Sequence, residues 1–191
     1  PAVIRSPSVA GGGGDALETV LARKEAAGEM VIPGRDDWLY FVPELRSLSV
    51  GEFWGESAPG VSRARNAQWA DPVPAIVDFN RQLAAAGITL LVVPVPTKAA
   101  IYPEYLDGEA WSSSVKERAG ADGAHRRFLA LLQASGVGVV DLQTLFQATT
   151  EGPPHYCKTD THWSPTGAAL AAREVAEAIR ALPGFETPGE G

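Results

Sequence analysis

A carboxylate and an imidazole stand two positions apart, Asp160 and His162, in the segment Lys158-Thr159-Asp160-Thr161-His162-Trp163-Ser164-Pro165-Thr166-Gly167. In an extended segment residues i and i+2 project to the same side, so the two side chains would share one face while Thr161 points away. Such a pair does acid–base work. The carboxylate fixes the tautomer and orientation of the ring and stabilises it once it takes a proton. Ser164 reads as an N-cap and Pro165 as the first residue of a helix, which anchors the pair against a rigid terminus. A plainer reading competes: Asp160 caps a turn and His162 is a satisfied, half-buried histidine. Cys157, the single cysteine, lies nearby without the marks of an activated thiol and reads as a small packed residue.

An Asp–His pair needs a nucleophile or an activated water. The chain has no Gly-x-Ser-x-Gly elbow, and no serine falls at an obvious strand-to-helix turn. A metal site is the competing chemistry, with His155, Asp160 and His162 as ligands, although their spacing matches no standard zinc motif. The preferred reading uses no metal and no cofactor. Lys98 and Tyr102, at the carboxyl edge of an apolar strand, are candidate contacts for an anionic or sugar ligand, as is Trp163 beside the imidazole. A solvated lysine and a packed tyrosine are the alternative. Phe53 and Trp54 would either line a sugar groove or pack on the core.

The elements that must position these groups follow from periodicity and turn chemistry. Residues 1–14, with four consecutive glycines, read as a flexible leader. Asp15 would cap a helix to Ala27 with Leu17, Val20 and Leu21 inward. Residues 31–42 give a Pro-Gly-Arg-Asp-Asp turn leading into an aromatic strand, with a short helix from Pro43. Residues 51–68 read as a long loop. Val73, Ile76, Val77, Leu83 and Ala84 mark one face of a helix ending at Gly87. The run 88–95 is apolar throughout, as in a parallel strand buried on both faces. Residues 107–120 read as irregular. A helix over 122–134 follows, with Phe128, Leu131 and Leu132 inward. Next come a strand over 137–142 and a short helix capped by Asp141. The last helix spans 165–181 with Ala168, Ala172, Val175 and Ile179 buried. Residues 15–182 form one α/β domain, a three-layer sandwich with a mostly parallel sheet, and 183–191 form a polar tail.

Composition excludes some partners. Sixteen Lys and Arg against 23 Asp and Glu give a net charge of −7. That balance argues against nucleic acid and anionic membrane surfaces, both of which want a basic stripe. Hydrophobic residues at 45% supply a folded core. No apolar run approaches the ~20 residues of a membrane span, and no signal peptide is visible.

Three segments in order resemble the SGNH-hydrolase-like acetyltransferase domain of the bacterial alginate O-acetylation proteins. They are Gly34-Arg35-Asp36-Asp37-Trp38-Leu39-Tyr40-Phe41 with Glu44-Leu45, then Leu91 to Lys98 with Ile101-Tyr102-Pro103, then Thr159-Asp160-Thr161-His162-Trp163-Ser164-Pro165 with Gly167. The resemblance covers about Met30 to Leu182. It implies a periplasmic or exported enzyme that moves acetyl groups on or off an exopolysaccharide. The partners it implies are a polysaccharide substrate and an acetyl donor, such as a membrane-bound acetyl-transfer protein. Carried over, Asp160 orients the ring and His162 is the general base of a Ser–His–Asp triad. The family's serine lies well downstream, beyond Gly191, so the expectation is an incomplete triad and a sheet incomplete at the C-terminus. Two explanations stay open: a fragment of a longer protein, or a non-catalytic carbohydrate-binding or scaffold subunit.

Overall fold

The computed structural model describes residues 17–185. The leader 1–14, the Asp15 cap and residues 186–191 of the tail lie outside the described residues. Helix α1 (Leu17–Ala26) buries Leu17, Val20 and Leu21, the expected stripe. Strands β1 (Val31–Pro33) and β2 (Leu39–Phe41) pair antiparallel, Val31 opposite Phe41. Between them Asp36 and Asp37 take left-handed backbone angles (φ 54° and 64°), which the short polar side chain of aspartate tolerates. Gly34 is fixed by space: a Cβ there would lie 2.3 Å from the Tyr105 carbonyl oxygen. Helix α2 (Val42–Ser49) follows with Pro43 in its first turn.

Residues 51–68 are loop broken by short turns, including α3 (Ala58–Val61). Helix α4 (Pro72–Ala85) is capped by Asp71, whose carboxylate accepts the Val73 N–H at 3.0 Å. Strand β3 (Leu91–Val92) pairs in parallel with β4 (Gly138–Val139). Between these strands run α5 (Lys98–Ile101), α6 (Glu109–Arg118) and α7 (Ala124–Ala134). Asp141 caps α8 (Leu142–Ala148), and Ser164 caps α9 (Pro165–Arg180) by accepting the Gly167 N–H at 3.2 Å.

Several expectations are corrected. Residues 107–120 hold a helix, α6, masked in the sequence by its serines and charges; it buries Ser112 and Val115 against the core. The apolar run 88–95 pairs only at Leu91 and Val92, because Pro94 has no N–H to give and Ile88 and Val95 are 52% and 64% exposed. Of the mostly parallel, three-layer sheet expected, the described residues show one parallel pair, β3–β4, beside the antiparallel pair β1–β2. On α9 the buried face is Gly167 and Ala171, with Val175 alongside, while Ala168 and Ala172 are exposed. Gly167 sets that rotation, since a Cβ there would sit 2.2 Å from the His155 carbonyl oxygen. Leu129 replaces Leu131 on the buried face of α7.

Two apolar clusters result. The larger joins α1, the hairpin, α2, α5, α6 and α8 around Trp38, Tyr40, Leu45, Leu142 and Phe146. The smaller centres on Phe128, Leu129, Leu132 and Val137 of α7 and its exit, with Val73, Ile76 and Val77 of α4 packed against it. Phe53 and Trp54 belong to this cluster too, with the Phe53 ring 4.7 Å from Phe128, so packing is what the structure shows for them.

Candidate active site

Asp160 and His162 sit at the tip of a tight loop whose legs are pinned together. Tyr156 and Trp163 form an antiparallel bridge, Cys157 N–H donates to the His162 carbonyl at 3.0 Å, and Ser164 N–H donates to the His155 carbonyl at 2.8 Å. Below the legs, the Ser164 hydroxyl bonds the Pro154 carbonyl at 2.5 Å, and α9 starts at once. The tip bends rather than extends. The Asp160 carboxylate accepts the backbone N–H of His162 at 2.5 Å, the turn that aspartate makes two residues on. The pair therefore meets through a turn and not through strand alternation.

The same oxygen of Asp160 lies 2.9 Å from His162 Nδ1. An ionised carboxylate only accepts, so Nδ1 carries a proton, and in the neutral ring the lone pair is then on Nε2. The Asp160 carboxyl is held below the ordinary carboxylate range, first by the His162 backbone N–H, then by the ring, with the Lys98 charge a smaller contribution. The imidazole side chain is 84% exposed, open to a reactant at Nε2. Among the described residues, no serine hydroxyl bonds to this ring. Nor do they gather three His, Cys, Asp or Glu side chains fit for a metal. His155 is turned away from the pair, buried with Nε2 3.0 Å from the Thr149 hydroxyl and its ring against Phe146.

Lys98 is not at the surface. Its side chain is fully buried, and its ammonium donates to the carbonyls of Cys157 (2.9 Å), Lys158 (3.0 Å) and Asp160 (2.7 Å). With all three protons committed, it has none left for a ligand. The nitrogen lies 5.6 Å from the Trp38 ring centre and 5.7 Å from that of Tyr40. Burial pushes the Lys98 ammonium below the usual lysine value; the nearby Glu44 and Asp160 charges oppose this. Burial likewise pushes Glu44 up, against the backbone N–H and the charge of Lys98. Tyr102 is buried as well, its hydroxyl accepting the His155 N–H at 2.8 Å. Trp163 is half-buried, edge-on to Phe146 at 5.6 Å. Elsewhere on the surface, Arg63 pairs with Glu25 and Arg65 is exposed.

The hairpin turn braces the loop from the other side. Leu39 N–H donates to the Lys158 carbonyl at 2.8 Å, and the Lys158 ammonium reaches the Asp36 carbonyl at 3.1 Å. Sequence reasoning found the Asp–His pair but missed Glu44, Trp38 and Tyr40 around Lys98. No local spacing could have found them, because all three stand far from Lys98 in the chain and meet it only in the fold.

A family model described as the SGNH hydrolase-like domain of the acetyltransferase AlgX matches residues 31–191. The chain belongs to this family. The probable alginate O-acetylase AlgJ of Pseudomonas fluorescens is 34% identical over 151 residues, 78% of this chain and 33% of that protein. AlgJ of Pseudomonas aeruginosa is 26% identical over 160 residues, 84% and 36% of the two chains. The chain thus spans about a third of the length of these relatives. Among solved structures, the O-acetyltransferase domain of Pseudomonas putida AlgJ superposes with a TM-score of 0.57 at 26% identity, covering 83% of this chain and 50% of that one. Pseudomonas aeruginosa AlgX gives 0.61 at 28% identity, covering 82% and 33%. These likenesses carry the SGNH-hydrolase-like α/β fold. No helix among the described residues is long and apolar enough to cross a membrane.

Proposed function

We propose that the chain is part of an exopolysaccharide O-acetyl-transfer domain in which Asp160 orients His162 and His162 is the general base. The observation that carries this is the Nδ1–carboxylate contact of 2.9 Å on an otherwise exposed ring. The nucleophile is a serine outside the described residues, and β3 and β4 are neighbours in a three-layer, mostly parallel sheet. What supports both points is that the chain covers only half of the O-acetyltransferase domain on which it superposes, which leaves room for further strands and a nucleophile.

Nε2 takes the serine proton as its oxygen attacks the acetyl carbonyl. The tetrahedral intermediate collapses to acetyl-serine, and the proton passes from Nε2 to the leaving group. A sugar hydroxyl then attacks the acetyl carbon, giving its proton to Nε2, which returns it to the serine. Each backbone N–H aimed at the oxyanion contributes roughly 3–4 kcal/mol. The domain works in the periplasm or outside the cell, receiving acetyl groups from a membrane-bound donor protein.

The test is turnover of p-nitrophenyl acetate, then of polysaccharide, by the full-length protein and its His162→Ala variant. A fall in kcat of about 10³-fold or more is expected; equal rates remove the base role. A second reading, a non-catalytic carbohydrate-binding subunit, rests on the lack of a serine partner for His162 among the described residues. It predicts polysaccharide binding with no acetyl turnover.

A further inference from the structure

We infer that Lys98 is the positioning residue of the Asp160–His162 pair, acting through the backbone of the loop rather than on substrate. The inference rests on the reading of His162 as the general base, and it goes beyond that reading. Lys98 lies 59 to 62 residues before the carbonyls it bonds. Three carbonyl oxygens, from Cys157, Lys158 and Asp160, converge on one nitrogen. Without a cation between them those part-buried dipoles repel. With it, the peptide planes on both sides of the loop tip are fixed, including the carbonyl of Asp160 itself. The Asp160 side chain then has one way to lie: on the His162 N–H, and therefore on Nδ1.

The cation is held in turn. The Glu44 charge favours the ammonium, and the Trp38 and Tyr40 rings flank it. Such a site does more than fill space. A methionine at 98 would match the length and the apolar stem but donate to none of the carbonyls. An arginine would keep the charge, but its planar fork cannot serve three oxygens arranged about a single nitrogen.

The readout is the tautomer of the neutral His162 ring, seen in ¹⁵N–¹H correlation spectra of residues 1–191, with the signal assigned by His162→Gln. An unconstrained neutral histidine ring favours the Nε2–H form. The wild type is expected to show mainly Nδ1–H, and Asp160→Asn mainly Nε2–H. Lys98→Met is expected to resemble Asp160→Asn. A folded Lys98→Met protein that keeps the wild-type Nδ1–H signal overturns the inference, because a purely structural lysine would lower the melting point without touching the tautomer. If Lys98→Met does not fold, Lys98→Arg takes its place: a rise in the Nε2–H fraction supports positioning, and an unchanged ratio overturns it. In full-length protein Lys98→Met should lower kcat by about 10²-fold with KM unchanged, the scale of a displacement near 1 Å. A fully active His162→Ala would sink the base assignment, while the tautomer result would still judge Lys98.

Discussion

The two apolar clusters are closed in different ways. Around the 155–164 loop, polar anchors reach in from distant parts of the chain. Lys98 holds three loop carbonyls, the Tyr156 hydroxyl reaches the Pro96 carbonyl, and the Tyr40 hydroxyl reaches the Tyr102 carbonyl. Around β3 and α4 the interior is apolar and half open. No residue of α4 is fully buried, Phe79 is 54% exposed, and the flanks of β3 face solvent. Hydrophobic burial alone is tolerant of position, whereas a hydrogen bond to a buried carbonyl is specific to within tenths of an ångström. The region that must hold an imidazole in one orientation is the region tied by such bonds.

The sharpest way to break that comparison is Lys98→Met. It leaves three part-buried carbonyls without their shared donor and is expected to cost about 3–5 kcal/mol, read from urea denaturation. A cost under about 1 kcal/mol would mean that the loop does not depend on its anchor. Next come Leu142→Ala and Leu132→Ala, both at fully buried positions. The closed cluster around Leu142 cannot collapse onto the void, so about 4 kcal/mol is expected there. The half-open surroundings of Leu132 can relax, which suggests about 2 kcal/mol. Equal losses would erase the distinction. Gly167→Ala forces a methyl onto the His155 carbonyl and should cost about 1–3 kcal/mol. Phe79→Ser, on the open face, should change stability by no more than about 0.5 kcal/mol.

The same contrast explains what was legible from the residues. Caps at Asp141 and Ser164 and the pairing of Asp160 with His162 are local, set within two to four residues, and the sequence displays them. The stripe of α1 was equally plain. Helix α6 was hidden because its buried face includes Ser112, a polar residue that carries no periodic apolar signal. The strand run 88–95 was over-read because an apolar run reports a preference for burial, not the presence of a partner strand. The role of Lys98 could not be seen at all. Its partners lie some sixty residues away, and a buried lysine and a solvated one have the same letter.

The smallest expected effect tests the tip of the loop itself. The Asp160 carboxyl is depressed in the folded protein, chiefly by the His162 backbone N–H and then by the ring. A depressed carboxylate contributes stability above its unfolded-state range, and that contribution is lost as the pH falls through the folded value. Because Asp160 is half exposed, solvent screens the contribution and keeps it small. The wild type should therefore melt slightly above Asp160→Asn at neutral pH, and the two curves should merge in strong acid. An offset that persists in acid would mean that asparagine disturbs the loop through shape rather than charge. An offset absent at every pH would mean that the turn is held from below, by Lys98 and the Tyr156–Trp163 bridge, and that Asp160 is free to serve the ring alone.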